Sequence, residues 1–256
     1  MLINTINSLI NSPKTEQTTL QIASYVKEHF YEIPTMSIDS LAKGCFVSKA
    51  MISKFVKRLG YENFKEFKLS AQESVDSLAK KYPFYKFDEE SLRNNAIKMM
   101  DDLTIGLRES IIQIDYEQIK QLLSDVEQAD SIMMIGHGDA ELICRKLQVS
   151  LDYLKKDVRI CDQKLEKLKS LGNNDLIIFI SVNGYSFKYK PRVLRILNQY
   201  SQKKWLITCA KDITFSDNVI TLPNIRPSLN DLLVEFLLKT IANGLNKEED
   251  KEHDIE

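Results

Sequence analysis

The chain has 256 residues, 43% apolar and 28% charged, with a formal net charge of −1, a composition that excludes disorder, collagen-like repeats and low-complexity architecture. The length suits one large domain or two smaller ones. No apolar run approaches the roughly 18 residues a bilayer-crossing helix needs, and the opening MLINTINSLI lacks the basic n-region of a secretory signal, so the expected location is the cytoplasm, with no membrane partner.

Helical periodicity fills the first eighty residues, and strand-like apolar runs begin only at Ser131. Between these regions, Lys80 to Glu90 (KKYPFYKFDEE) reads as a connector because it holds a proline, dense aromatics and charges. From Ser91 to about Gln128 helix returns, with Leu92, Ile97, Met100, Leu103, Ile111, Ile119 and Leu122 among its apolar positions. Two helices are expected there, with a break near Ile114 and Asp115.

Short apolar runs then alternate with amphipathic segments. SIMMIG is followed by a helix over Ala140 to Lys155, then DVRIC, a short helix at Lys164 to Lys169, and DLIIFIS. A helix through Val193 to Tyr200, the runs KKWLITC and NVITL, and a closing helix from Ser228 to about Leu245 complete the series. Near-continuous apolar strands separated by helices predict a parallel sheet of about five strands, covered on both faces. The last eleven residues, NKEEDKEHDIE, hold six acids and two bases and read as a solvated acidic tail over 247–256.

Four cysteines (Cys45, Cys144, Cys161, Cys209) lie without CxxC spacing, and only three histidines occur (His29, His137, His253). This supply argues against a zinc site, a disulfide framework or an acid-base relay, so no metal, cofactor or catalytic residue is assigned.

The first chemical signal lies between Met36 and Lys68. Ser37 suits the cap of a helix carrying Ile38, Leu41 and Ala42 on one face, and Ser48 suits the cap of a second helix only a few residues later. On that second helix Ile52, Phe55, Val56 and Leu59 fall at i, i+3, i+4 and i+7, one buried stripe. Ala50, Lys54 and Lys57 lie opposite it, flanked by Met51, Ser53 and Arg58, with Lys49 at the exposed amino end. Ser48 to Arg58 contains four bases and no acid. A short helix, a tight turn and a second helix with small and basic residues outward predict a helix-turn-helix in the DNA major groove, its lysines on phosphates. The expected DNA-binding residues are Ser48, Lys49, Ala50, Met51, Ser53, Lys54 and Lys57; the alternative is a helical hairpin with a solvated basic face.

The stretch from Thr19 to Lys68 resembles the amino-terminal domain of RpiR-type bacterial transcription regulators. The resemblance rests on Ile22, Ala23 and Tyr25, on Met36-Ser37-Ile38 with Leu41-Ala42, on Val47-Ser48 with Ile52, Ser53 and Phe55, and on Leu59-Gly60-Tyr61 with Phe64. Phe46 departs from the glycine often found in such turns, which predicts strain or a reshaped turn.

The second signal lies where strands end. Gly136-His137-Gly138-Asp139-Ala140 leads from a strand into a helix, placing backbone N–H groups where open α/β sheets bind ligands. Glu141 stands where a dinucleotide fingerprint needs its third glycine, and Asp162 is the only support for a nucleotide site. Ser181-Val182-Asn183-Gly184-Tyr185-Ser186 also precedes a helix, and its hydroxyls around a glycine suit either a phosphate cradle or a plain helix cap. Lys188, Lys190 and Arg192 follow, as charge for an anion or as a solvated face, and His137 reads as a surface-loop histidine.

From about Tyr116 to Leu245 this half resembles a sugar isomerase (SIS) domain, the partner expected of an RpiR-type amino terminus. Ser181, Gly184 and Ser186 match the SIS phosphate loop, and Gly136 and Gly138 match its first turn. Asn183 and Ala140 each replace a serine of that pattern. The resemblance implies a SIS-like αβα sandwich with Gly136, His137, Gly138, Ser181, Asn183, Gly184 and Ser186 as ligand-binding residues. It divides the chain into a helix-turn-helix domain (1–80), a helical linker (81–115), a SIS-like domain (116–246) and the tail. The implied function is a transcription regulator, dimeric or tetrameric, that binds an operator under control of a phosphorylated sugar. The alternatives are a sugar phosphate isomerase, with Glu141 or His137 as base, and a regulator whose ligand site has decayed into a dimerisation module.

Overall fold

The computed structural model describes residues 2–81, 89–153, 155–161, 165–215 and 218–245. Most of the 80–90 connector, Asp162, His253 and the 247–256 tail lie outside the described residues. Five helices form the amino-terminal half: α1 (Leu2–Asn11), α2 (Gln17–Glu28), α3 (Ile38–Gly44), α4 (Lys49–Arg58) and α5 (Phe64–Lys81). They enclose one core in which Leu2, Ile6, Ile22, Val26, Leu41, Ile52, Phe55 and Phe67 are buried.

Both expected caps form. The Ser37 hydroxyl accepts from the Ser40 N–H at 3.0 Å, and the Ser48 hydroxyl from the Met51 N–H at 3.3 Å, each satisfying a donor that a helix start leaves unpaired. α3 and α4 also end alike. The Val47 N–H reaches the Ala42 carbonyl while Phe46 reaches Lys43, and the Tyr61 N–H reaches Val56 while Gly60 reaches Lys57. Each is a Schellman ending, which needs its penultimate donor in the left-handed region. Gly60 supplies this without strain at φ 93°, whereas Phe46 adopts φ 53°. The turn is therefore not reshaped, and Phe46 carries the conformational cost of about 1–2 kcal/mol.

After the connector come α6 (Glu89–Gln113) and α7 (Tyr116–Gln128). Their break falls at Ile114 and Asp115 because the Asp115 carboxylate caps α7, accepting from the Glu117 N–H at 2.9 Å.

The α/β half holds β1 (Ser131–Gly136), α8 (Asp139–Tyr153), β2 (Asp157–Cys161), β3 (Leu176–Ile180), α9 (Tyr185–Tyr189), α10 (Pro191–Leu197), β4 (Lys204–Thr208), β5 (Asn218–Thr221) and α11 (Asn230–Leu245). All five strands are parallel in the order β2-β1-β3-β4-β5. Successive strand residues alternate between two cores. Met134, Ile178 and Ile207 pack with Leu122 of α7, Leu147 of α8 and Leu237 of α11. Met133, Ile177 and Leu206 pack on the other face with Leu168, Val193 and Leu197. The segment expected as a helix near Lys164 to Lys169 is a 3-10 turn at Glu166–Ser170, and the helix expected from Val193 begins at Pro191, behind the short α9.

Asp125 pins α7 to the sheet, accepting from the Trp205 indole N–H at 2.8 Å and from Lys203 Nζ at 2.7 Å. Burial opposes its charge, but these donors outweigh burial and hold its pKa below the ordinary aspartate value. The four cysteines are buried free thiols, and burial pushes the Cys45 thiol up to about 11 and Cys209 to about 12. Among the described residues no helix is long and apolar enough to cross a membrane, and no group of His, Cys, Asp or Glu is placed to hold a metal ion.

Candidate functional site

Two surfaces carry the chemistry. On α4 the stripe Ile52, Phe55, Val56 and Leu59 is buried, which turns the opposite side outward. Ser48, Lys49, Ala50, Met51, Ser53, Lys54 and Lys57 are all exposed. Two of the four bases face acids on neighbouring helices: Lys49 is ion-paired to Asp39 of α3, and Arg58 to Glu16 ahead of α2. Arg58 holds the Glu16 carboxyl below its usual range. Lys54 and Lys57 are exposed near the middle and end of this face. Phe46, 90% exposed, projects from the turn just before α4.

The second surface lies at the carboxyl ends of the strands. Gly136 pairs with Ile180 across β1 and β3, so His137 and Ser181 leave the sheet side by side. The order 2-1-3-4-5 reverses between these two strands, which is where doubly wound sheets bind their ligands. A Cβ on Gly136 would lie 2.6 Å from the Ala140 carbonyl oxygen and 2.8 Å from Cys144 Sγ, so only glycine lets α8 close onto β1. Gly184, at φ 72°, makes the corresponding turn after β3.

A cavity of about 40 Å³ sits here, lined by Glu73, Ser77, His137, Asp139, Ala140, Ser181, Val182, Asn183, Tyr185 and Ser186. Of the residues singled out from sequence, His137, Ser181, Asn183 and Ser186 line it, while the three glycines shape its turns. Ser186 Oγ lies 3.4 Å from His137 Nδ1, and His137 Nε2 is buried with no hydrogen-bond partner. His137 is therefore not a surface-loop histidine. Burial, then the charge of Lys190, drives its pKa well below the ordinary histidine value, so the imidazole is neutral at pH 7. The Asn183 amide is engaged within the protein: its oxygen accepts from Asn230 at 2.7 Å and its nitrogen donates to the Pro227 carbonyl at 3.3 Å.

The roof of this cavity is the contribution sequence reasoning missed. Glu73 and Ser77 belong to α5, in the helix-turn-helix half, and lie on a buried polar stripe with Ser70 and Ser74. Nor are Lys188, Lys190 and Arg192 a solvated face. Lys190 Nζ lies 3.1 Å from Glu73 Oε2, Lys188 Nζ 3.6 Å from Asp76, and Arg192 3.1 Å from Glu62 and 3.6 Å from Glu66. The Tyr189 hydroxyl donates to Asp76. Three consecutive alternate bases of one half thus meet four acids of the other. Burial works against the charge on Lys190, but Glu73 outweighs it and raises the lysine pKa above its usual value.

Residues 4–78 match the helix-turn-helix domain of the rpiR family. The chain is an RpiR-type helix-turn-helix transcription regulator. It is 24% identical over 196 residues to the HTH-type transcriptional regulator GlvR of Bacillus subtilis, a match spanning 73% of this chain and 70% of that one. The RpiR-type architecture extends over both halves, since the fold is shared with the Vibrio vulnificus NanR protein complexed with ManNAc-6P. That likeness has a TM-score of 0.51 at 16% identity and covers 96% of this chain and 91% of NanR. The α/β half has a SIS-type fold and is similar to c3406 of E. coli CFT073, solved in complex with a phosphosugar, with a TM-score of 0.53 at 16% identity over 62% of this chain and 92% of that one.

Proposed function

We propose that this RpiR-type regulator is a cytoplasmic homo-oligomer that binds operator DNA through α4 and senses a phosphorylated sugar between β1 and β3. In this reading residues 1–80 read DNA, 81–115 connect, 116–246 sense and 247–256 form a solvated tail. The observation that carries it is the face of α4, where all seven expected contact residues are exposed on a capped helix whose opposite side is core. Ala50 and Ser53 let the backbone approach base edges, while Lys54 and Lys57 neutralise phosphates.

The α/β half is a sensor rather than a catalyst. An isomerase needs a positioned base, whereas His137 is held neutral in a closed pocket and Glu141 is ion-paired to Arg145 at 2.9 Å. Ser181, Ser186 and His137 remain to hold a phosphosugar, with Asn183 shaping the loop. NanR and c3406, which share the fold, were both solved with phosphosugars, ManNAc-6P in the case of NanR. Self-association is supported by α6, which exposes Leu92, Ile97, Met100, Ile105 and Ile112, more apolar surface than a solvated helix carries.

Selection from a random duplex library tests the DNA reading. The expected product is an inverted repeat whose half-sites lie one helical turn, about 34 Å, or a multiple of it apart. Enrichment of no sequence would contradict it.

A further inference from the structure

The cavity between β1 and β3 is too small for the ligand class assigned to it. About 40 Å³ is little more than one water's share of liquid volume, about 30 Å³, whereas small-molecule pockets run from about 300 Å³. What closes it is α5. Glu73 presents a carboxylate to this space, and its charge would repel a phosphate brought into the same dry pocket. Behind Glu73 stands Lys190, which lines the adjoining void together with His137. The side chains of this ion pair are 5% and 7% exposed.

Lys190 belongs to the serine loop, not to α5: its backbone N–H donates to the Ser186 carbonyl at 3.0 Å. If α5 departs, Lys190 stays beside Ser186 as an unpaired charge in a half-buried site, and a buried charge without a partner is costly. A phosphate is a suitable replacement for the lost carboxylate. His137, with its orphaned Nε2, stands at the same place with one nitrogen still to satisfy.

We propose that Lys190 is the anion-holding lysine of the sensor site, that Glu73 occupies it while the two halves are docked, and that a sugar phosphate binds by exchanging its phosphate for the Glu73 carboxylate, releasing α5. This deepens the sensor reading and rests on it. The remaining contacts, Asp76 with Lys188 and Tyr189, and Glu62 and Glu66 with Arg192, orient the docked halves, but most lie nearer the surface, where ion pairs add little. Ligand binding and docking are then reciprocal: each weakens the other by the same factor. The DNA-binding half is held in one orientation without ligand and freed with it, which supplies the two arrangements an effector must distinguish.

The test is calorimetric titration of the full chain with ManNAc-6P, arabinose 5-phosphate, glucose 6-phosphate and inorganic phosphate, beside spin-label distances between Lys43→Cys and Lys169→Cys, both exposed positions. Glu73→Gln keeps the shape and removes the competing charge, so the sugar phosphate that binds should bind about tenfold tighter, as expected when a larger fraction of the chain is competent. Glu73→Ala should shift affinity the same way, and Lys190→Met should weaken binding at least tenfold. The distance distribution should broaden when the natural chain is saturated and be broad in Glu73→Gln without ligand. If the natural chain binds a sugar phosphate while Glu73→Gln leaves both affinity and distance unchanged, the exchange is wrong and the sensor reading stands. If neither chain binds any of the four probes, the sensor reading falls and the exchange falls with it.

Discussion

Replacing Lys54 and Lys57 together by alanine should lower operator affinity roughly 10- to 100-fold at physiological salt and leave the fold intact. Both side chains are exposed on α4, and alanine is at least as good a helix former as lysine, so stability should change by under about 0.5 kcal/mol. Each lysine set on a phosphate releases about one counterion. The slope of log affinity against log salt should therefore become shallower by about 2 for each DNA-bound domain. A parallel loss on unrelated duplex would mark the lysines as phosphate contacts, and a selective loss on the operator would place them on bases. Lys49→Ala should do less, because Lys49 already shares its charge with Asp39.

A second large effect is expected at the serine loop. A sugar phosphate held at 100 times its Kd stabilises the folded chain by about 2.7 kcal/mol, which in a protein of this size raises Tm by roughly 5–10 °C. The Ser181→Ala, Ser186→Ala double variant should lose most of that shift. Both hydroxyls line the cavity, and neither main-chain bond of Ser181, its N–H to Ile207 and its carbonyl from Thr208, depends on its side chain. A scan with the same sugar phosphates checks it, and an undiminished shift in the double variant would move the anion elsewhere.

Local physics makes much of this molecule legible in its residues. Ser37 and Ser48 announce two helix starts, Ile52 to Leu59 mark the inner side of α4 and so expose the other, and the five apolar runs become the five parallel strands. Asp115 explains the break between α6 and α7. The rest depends on which parts meet. The stripe Ser70, Glu73, Ser74 and Ser77 has the spacing and polarity of a solvent face, and nothing within α5 indicates that it packs more than a hundred residues away on α9. Lys188, Lys190 and Arg192 look equivalent along the chain, yet only Lys190 is buried against a carboxylate. His137, flanked by glycines, reads as a loop residue until α5 covers it. Phe46 shows the converse: its left-handed conformation is foreseeable from the turn, and the protein keeps it without relief.

The central claim is that a small anion between β1 and β3 alters how α4 meets DNA. The most direct measurement is the affinity of the full chain for its selected operator, read by fluorescence anisotropy while the sugar phosphate that stabilises it is titrated in. The account predicts a saturable change of at least about fivefold, the low end of ordinary coupling between sites, absent in the Ser181→Ala, Ser186→Ala chain. Operator affinity that stays constant through full occupancy of the site would contradict it.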